Sequence, residues 1–184
     1  MVRIITGKYK GRSLKISKNE SVRPTSDRVK EALFNILSNR ISFENLFVLD
    51  LFAGTGALGF EALSRGAEKV IFVDNHYGAL KMIKENAKVL GCEDKILIVN
   101  DDALRFIQYS NEKFDLIFAD PPYMYPHFNE LVYKIWEREL LSEIGFFSVE
   151  HDSRIVFAPE MIPFEIVTRR EFGKTAFTIF KYKE

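Results

Sequence analysis

Apolar residues recur along this chain in two rhythms. Between residues 46 and 149, short and mostly apolar runs alternate with stretches whose apolar positions fall three or four apart. The runs occupy 46–49, 70–73, 96–99, 114–118 and 146–149. A strand buried on both faces reads as such a run, and the helical stretches between runs supply its cover, so the five runs predict a doubly wound α/β domain. The end of the chain differs, because 164–168 and 175–180 alternate around Phe172-Gly173-Lys174 with no helical stretch between them. That pattern predicts an antiparallel hairpin at the sheet edge. At the start, 2–5 and 12–16 flank a loop punctuated by Gly7 and Gly11 and predict a further hairpin. Beyond the turn and candidate N-caps of Pro24-Thr25-Ser26-Asp27, Val29, Leu33, Ile36 and Leu37 predict an amphipathic helix through 28–38.

Composition narrows the class. At 184 residues, 47% hydrophobic and 28% charged, the chain has the size and make-up of one globular domain. No apolar stretch approaches the roughly 20 residues of a membrane span, and no signal-peptide core opens the sequence, so a cytoplasmic location is expected. A single cysteine, Cys92, reads as a packing residue, and three scattered histidines give no metal-ligand spacing, so no metal is expected. The net charge is zero but unevenly placed. Residues 1–30 hold nine basic and two acidic side chains, an excess of +7 that the remainder balances. A basic end on an acidic body fits a protein that grips phosphates with one region.

Two segments carry chemistry. In Asp50-Leu51-Phe52-Ala53-Gly54-Thr55-Gly56-Ala57-Leu58-Gly59 a glycine-rich turn follows a strand and opens a helix, where backbone can approach a ligand and free N–H groups can bond it. The pattern also matches the dinucleotide fingerprint, which is weak alone and fits mere tight packing as well. Asp50 at the strand end is unwelcome to a diphosphate but suits a ligand with an ammonium and a sulfonium, such as S-adenosylmethionine. On that reading Asp50 and the backbone from Phe52 and Ala53 through Gly54, Thr55 and Gly56 hold the methionine part. Asp74, beside Asn75, accepts from the ribose, and Asp102-Ala103 meets the adenine.

After the fourth run comes Asp120-Pro121-Pro122-Tyr123. The prolines fix φ and remove two N–H donors, which leaves the Asp120 carboxylate and the Pro121 carbonyl as stiffly placed acceptors. An exocyclic base amine is a poor nucleophile because its lone pair is delocalised, and two acceptors taking both N–H bonds direct that pair outward. Tyr123 supplies a face for an unstacked base. An ordinary Asp-Pro turn is the bland alternative.

Together, residues 23–37 (Arg23-Pro24-Thr25-Ser26-Asp27-Arg28-Val29-Lys30-Glu31 and the helix that follows), the glycine loop with Glu61-Ala62-Leu63-Ser64-Arg65-Gly66-Ala67, and Asp120-Pro121-Pro122-Tyr123 resemble the RsmD family of 16S ribosomal RNA guanine-N2 methyltransferases. The likeness spans almost the whole chain, and the first block discriminates best. It implies a Rossmann-like class I methyltransferase fold: a mostly parallel seven-stranded sheet with an antiparallel C-terminal strand, preceded by a hairpin and helix. With the chain length, this gives an expectation of one domain over 1–184, with 1–24 as a basic extension and 25–184 as the catalytic core. The implied cofactor is S-adenosylmethionine, and the implied partner is 16S rRNA of the small ribosomal subunit, acted on by a monomer. Asp74 stands where relatives often carry Glu, which shortens its reach to a ribose.

Arg3, Lys8, Lys10, Arg12, Lys15 and Arg23, with Lys174 as an addition, are the candidate RNA-phosphate contacts; a solvated charged surface is the alternative for each. Three other functions share some of these motifs. They are a DNA adenine-N6 methyltransferase, an NAD-dependent dehydrogenase and an RNA-binding assembly factor without turnover.

Overall fold

The computed structural model describes residues 2–16, 26–123, 125–157 and 162–183. Two short strands, β1 (Val2–Arg3) and β2 (Ser13–Leu14), precede helix α1 (Asp27–Ser38). Four strand-then-helix units follow: β3 (Phe47–Leu51) with α2 (Ala57–Arg65), β4 (Lys69–Asp74) with α3 (Tyr77–Leu90), β5 (Ile96–Asn100) with α4 (Ala103–Tyr109), and β6 (Phe114–Ala119) with α5 (Phe128–Glu137). The chain closes with β7 (Leu141–Asp152), β8 (Phe164–Phe172) and β9 (Thr175–Tyr182).

The seven longer strands form one sheet in the order β5-β4-β3-β6-β7-β9-β8. Strands β3 to β7 pair in parallel, and β9 inserts antiparallel between β7 and the edge strand β8. This is the expected fold, antiparallel strand included. The tail hairpin sits at the edge, as its alternation predicted, and each of the five apolar runs is a strand.

Successive side chains of a strand point to opposite faces, and the two cores follow that rule. Val48, Val70, Phe72, Leu116 and Phe118 pack with α1, α2 and α3 on one face. Leu49, Leu51, Ile71, Val73, Ile117 and Ala119 pack with α4 and α5 on the other. Each fully buried Leu, Ile, Val or Phe contributes about 1.5–3 kcal/mol over its exposed state, which is why runs rather than alternation mark these strands.

The N-terminal hairpin is docked, with Val2, Ile4, Tyr9 and Leu14 buried in the first of these cores. Polar anchors hold its loop to α2. The buried Glu61 carboxylate accepts from the amides of Ile5 (2.7 Å) and Thr6 (3.1 Å), and Ser64 accepts from Lys8 and Tyr9. Gly7, at φ 84°, lies so close that a Cβ would stand 1.8 Å from the Ser64 carbonyl oxygen. Helix α1 starts at Ser26, whose hydroxyl accepts from the Val29 amide as an N-cap.

Candidate active site

Strand order reverses at β3, whose chain continues to β4 on one side while β6 lies on the other. Open α/β sheets bind ligands at such a switch point, beyond the carboxyl ends of the strands. The glycine loop leaves β3 there and the Asp120 loop leaves β6 there. The two loops start side by side, since the Asp120 amide donates to the carbonyl of Leu51, the last residue of β3, at 3.4 Å.

The glycine loop is a strained turn held from below. Phe52, Gly54 and Gly56 all have positive φ, at 56°, 53° and 75°. Only glycine takes such values without steric cost, so the loop uses it twice and tolerates Phe52 once. The Ala53 amide donates to the Val73 carbonyl (3.1 Å) and the Gly56 amide to the Ala53 carbonyl (2.7 Å). A Cβ on Gly54 would meet nothing nearer than the Phe52 carbonyl oxygen at 3.8 Å, so this face of the loop is open. Gly59 is the opposite case, since a Cβ there would lie 2.3 Å from the Phe72 ring. It brings α2 close to β4.

Carboxylates organise this loop. Asp50 is 2% exposed and accepts from the Gly59 amide at 2.9 Å. Burial pushes its pKa well above the ordinary carboxylate range, the Gly59 bond opposes this, and the charges of Asp120 and Asp74 add to the upward push. Asp74 accepts from the Gly54 amide with one oxygen and from the His76 amide with the other, each at 2.8 Å. Asn75, between them, is exposed. Asp102 caps α4 by accepting from the Arg105 amide, and Ala103 is buried behind it. Asp50, Asp74 and Asp120 thus stand at the carboxyl ends of β3, β4 and β6, near enough for the charges of the latter two to act on Asp50. Among the described residues no cluster has the composition of a metal site.

In the Asp120 loop, Pro121 is half-buried, and Pro122 and Tyr123 are exposed. Tyr123 retains 64% of its surface, and its hydroxyl accepts from Arg154 at 2.8 Å. Sequence reasoning missed Tyr125, whose ring packs edge-on against Phe52 with centroids 5.1 Å apart. Burial, with the nearby Asp102 and Glu130, pushes its phenol up to about 12. Tyr125 therefore packs the loop after β6 against the loop after β3. Asn86 was missed as well. It is 1% exposed, binds both backbone groups of Lys15, and donates to the Thr55 carbonyl (3.4 Å), linking the hairpin to the glycine loop. Neither residue lies in a spaced motif, and only tertiary contact reveals them.

The candidate RNA cations among the described residues are exposed, but several are engaged. Arg3 pairs with Asp27 (2.9 Å), Lys15 pairs with Glu85 (3.1 Å), and Arg12 donates to the Val89 carbonyl. Lys8 lies 5.4 Å from the Tyr9 ring centre, and Lys10 is exposed. Lys174 sits apart, on the turn between β8 and β9, and lines a cleft with Tyr123. Arg23 lies outside the described residues.

Comparison with known proteins agrees with this architecture. The family model described as Conserved hypothetical protein 95 matches residues 2–181. The Bacillus subtilis protein YlbH is 41% identical over 184 residues, covering 98% of each chain. "Ribosomal RNA small subunit methyltransferase D" of Haemophilus influenzae is 43% identical over 131 residues, covering 70% of this chain and 65% of its own. The solved structure of Escherichia coli YhhF superimposes with a TM-score of 0.86 at 27% identity, covering 99% of this chain and 98% of that one. A sheet of this order, with a glycine loop and an Asp-Pro-Pro-Tyr loop meeting at its switch point, defines a Rossmann-like methyltransferase. Within that class the chain belongs to the Conserved hypothetical protein 95 family, the RsmD family that its motifs resemble.

Proposed function

We propose that this protein methylates the exocyclic N2 amine of a guanine in small-subunit ribosomal RNA, with S-adenosylmethionine as donor. The observation that carries the reading is that the two motif loops leave adjacent strands at the same sheet edge, with Asp50, Asp74 and Asp120 at the carboxyl ends of β3, β4 and β6. The residues fit such a donor. The Gly54 face is open to close approach, and the carboxylates would balance an ammonium and a sulfonium where they would repel a diphosphate. Asp50 and the loop backbone would hold the methionine part, and Asp74 the ribose, by releasing or sharing the Gly54 or His76 amide. Bound there, S-adenosylmethionine supplies an electrophilic methyl carbon on a positively charged sulfur.

The rest of the work belongs to the chain. The Asp120 carboxylate and the Pro121 carbonyl accept the two N–H bonds of the guanine amine and turn its lone pair toward the methyl carbon. Transfer to the amine would form the C–N bond as the methyl carbon–sulfur bond breaks, leaving the donor as a neutral thioether and the nitrogen cationic, and Asp120 would accept the proton that the nitrogen sheds. Tyr123 offers an exposed aromatic face on which the base stacks, and holding both partners in line lowers the entropic part of the barrier. The family membership and the name carried by the Haemophilus relative support ribosomal RNA as the substrate.

Small subunits lacking the modification, incubated with labelled S-adenosylmethionine, should yield labelled N2-methylguanosine at one mapped nucleotide. Label in DNA adenine, or none in RNA under conditions where the donor binds, would overturn the assignment.

A further inference from the structure

One cleft joins the Asp120 loop to the last turns of the chain. It has a volume of about 170 Å³ and is lined by Tyr123, Asp152, Ser153, Arg154 and Lys174. Pockets for whole small molecules begin near 300 Å³, so this cleft takes a fragment of a larger ligand.

Its walls are preorganised. The Asp152 carboxylate receives the Arg154 side chain through Nε (3.0 Å) and one Nη (2.7 Å), and also the Arg154 amide (2.8 Å). Those bonds hold Asp152 well below the usual carboxylate range, so it is ionised. The same Nη donates to the Tyr123 hydroxyl, and Asp152 also hydrogen-bonds that phenol. Behind them, the Ser153 amide donates to the Lys174 carbonyl at 2.9 Å, and Arg169 donates to the Ser153 and Ile155 carbonyls. The turn that bears Arg154 is therefore fixed to the turn that bears Lys174.

The charge count favours an anion. Arg154 and Lys174 face a single carboxylate, which leaves one net positive charge. The other Nη of Arg154 makes no hydrogen bond among the described residues, and its side chain is 73% exposed. Lys174 has no carboxylate partner among the described residues. Donors on a fixed frame beside an exposed aromatic ring are what a nucleotide chain requires, with stacking for the base and cations for the phosphate.

We propose that this cleft seats a backbone phosphate adjoining the target guanine, contacted by Arg154 and Lys174, and that Arg154 is also a positioning residue that holds the Tyr123 ring for stacking. The inference rests on the RNA reading above and adds to it a path for the strand, from Tyr123 across the ends of β7 and β9.

The test uses the full chain and transcribed small-subunit rRNA. Affinity is measured for wild type, R154Q, R154K, K174Q and, as a control at the opposite end of the sheet, K113Q. Each lost phosphate contact should reduce the slope of log affinity against log salt by about 0.7–0.9 between roughly 50 and 200 mM salt. R154Q and K174Q should show that loss and K113Q should not. R154K keeps the charge without the fork, so it should retain the slope while kcat for methyl transfer falls, with KM for the methyl donor unchanged. A wild-type slope in both R154Q and K174Q, with melting temperatures intact, would place the phosphate elsewhere. Wild-type kcat in R154K would remove the positioning role. Slopes that fall as expected in a protein that transfers no methyl group to RNA would leave the cleft standing and sink the catalytic reading alone.

Discussion

Replacing Asp50 by Asn separates two jobs that the structure assigns to one carboxylate. Asp50 anchors α2 by accepting from the Gly59 amide at 2.9 Å, and it lies buried beside Asp120 and Asp74. Asn keeps an acceptor for Gly59 and removes the negative charge. Because burial raises the folded-state pKa of Asp50, the folded protein holds that proton more tightly than the unfolded chain does. Such a group contributes its full stability below the unfolded pKa, near 3.9, and the contribution is lost as pH rises through the folded value. At neutral pH, therefore, D50N without ligand should melt at or above the wild-type temperature, and stability should fall less steeply as pH rises. D50A behaves differently, since it leaves the buried Gly59 N–H without a partner at a cost of about 1–3 kcal/mol. For the donor, losing a hydrogen bond to a charged group costs about 1.5–3 kcal/mol, or roughly 10- to 100-fold in Kd. Thermal melts from pH 4 to 9, with calorimetric titration of S-adenosylmethionine, measure both. If D50N melts as low as D50A and binds the donor like wild type, Asp50 is a structural anchor only, and the charge argument for the donor fails.

Two further substitutions test the frame around the site. G59A would drive a methyl group to 2.3 Å from the Phe72 ring and displace α2, with an overpacking cost of about 1–3 kcal/mol in urea unfolding. Weakened donor binding should accompany it, and wild-type values for both would show that the loop is not packed as described. E61A removes the buried acceptor for Ile5, Thr6 and Arg65 and leaves the fully buried Lys30, near Arg65, with Asp27 at 3.9 Å as its carboxylate. A buried pair broken on one side costs about 3–5 kcal/mol, and the hairpin should become sensitive to proteases; resistance equal to wild type would refute the clamp.

Much of the architecture was legible because it depends on near neighbours along the chain. A strand covered on both faces is apolar at nearly every position, so the runs at 46–49, 70–73, 96–99, 114–118 and 146–149 announced a parallel sheet. A turn that runs through Gly54 and Gly56 at positive φ needs residues without a Cβ, and two prolines after Asp120 stiffen whatever follows. These features are local, and a linear reading finds them.

What crosses the chain came from packing. Strand order brought the β3 and β6 ends together, although 69 positions separate Asp120 from Leu51, which accepts its amide bond. Packing also turned Asp50 onto Gly59, stretched Asn86 between Lys15 and Thr55, and set Arg154 against Tyr123, 31 positions earlier. No period or spacing encodes such contacts, because a single polar side chain gains its partner only once two separately folded elements meet. The linear pattern settled which segments become strands, loops and helices, whereas the partners of each buried polar group were settled by the sheet order that minimises exposed apolar surface.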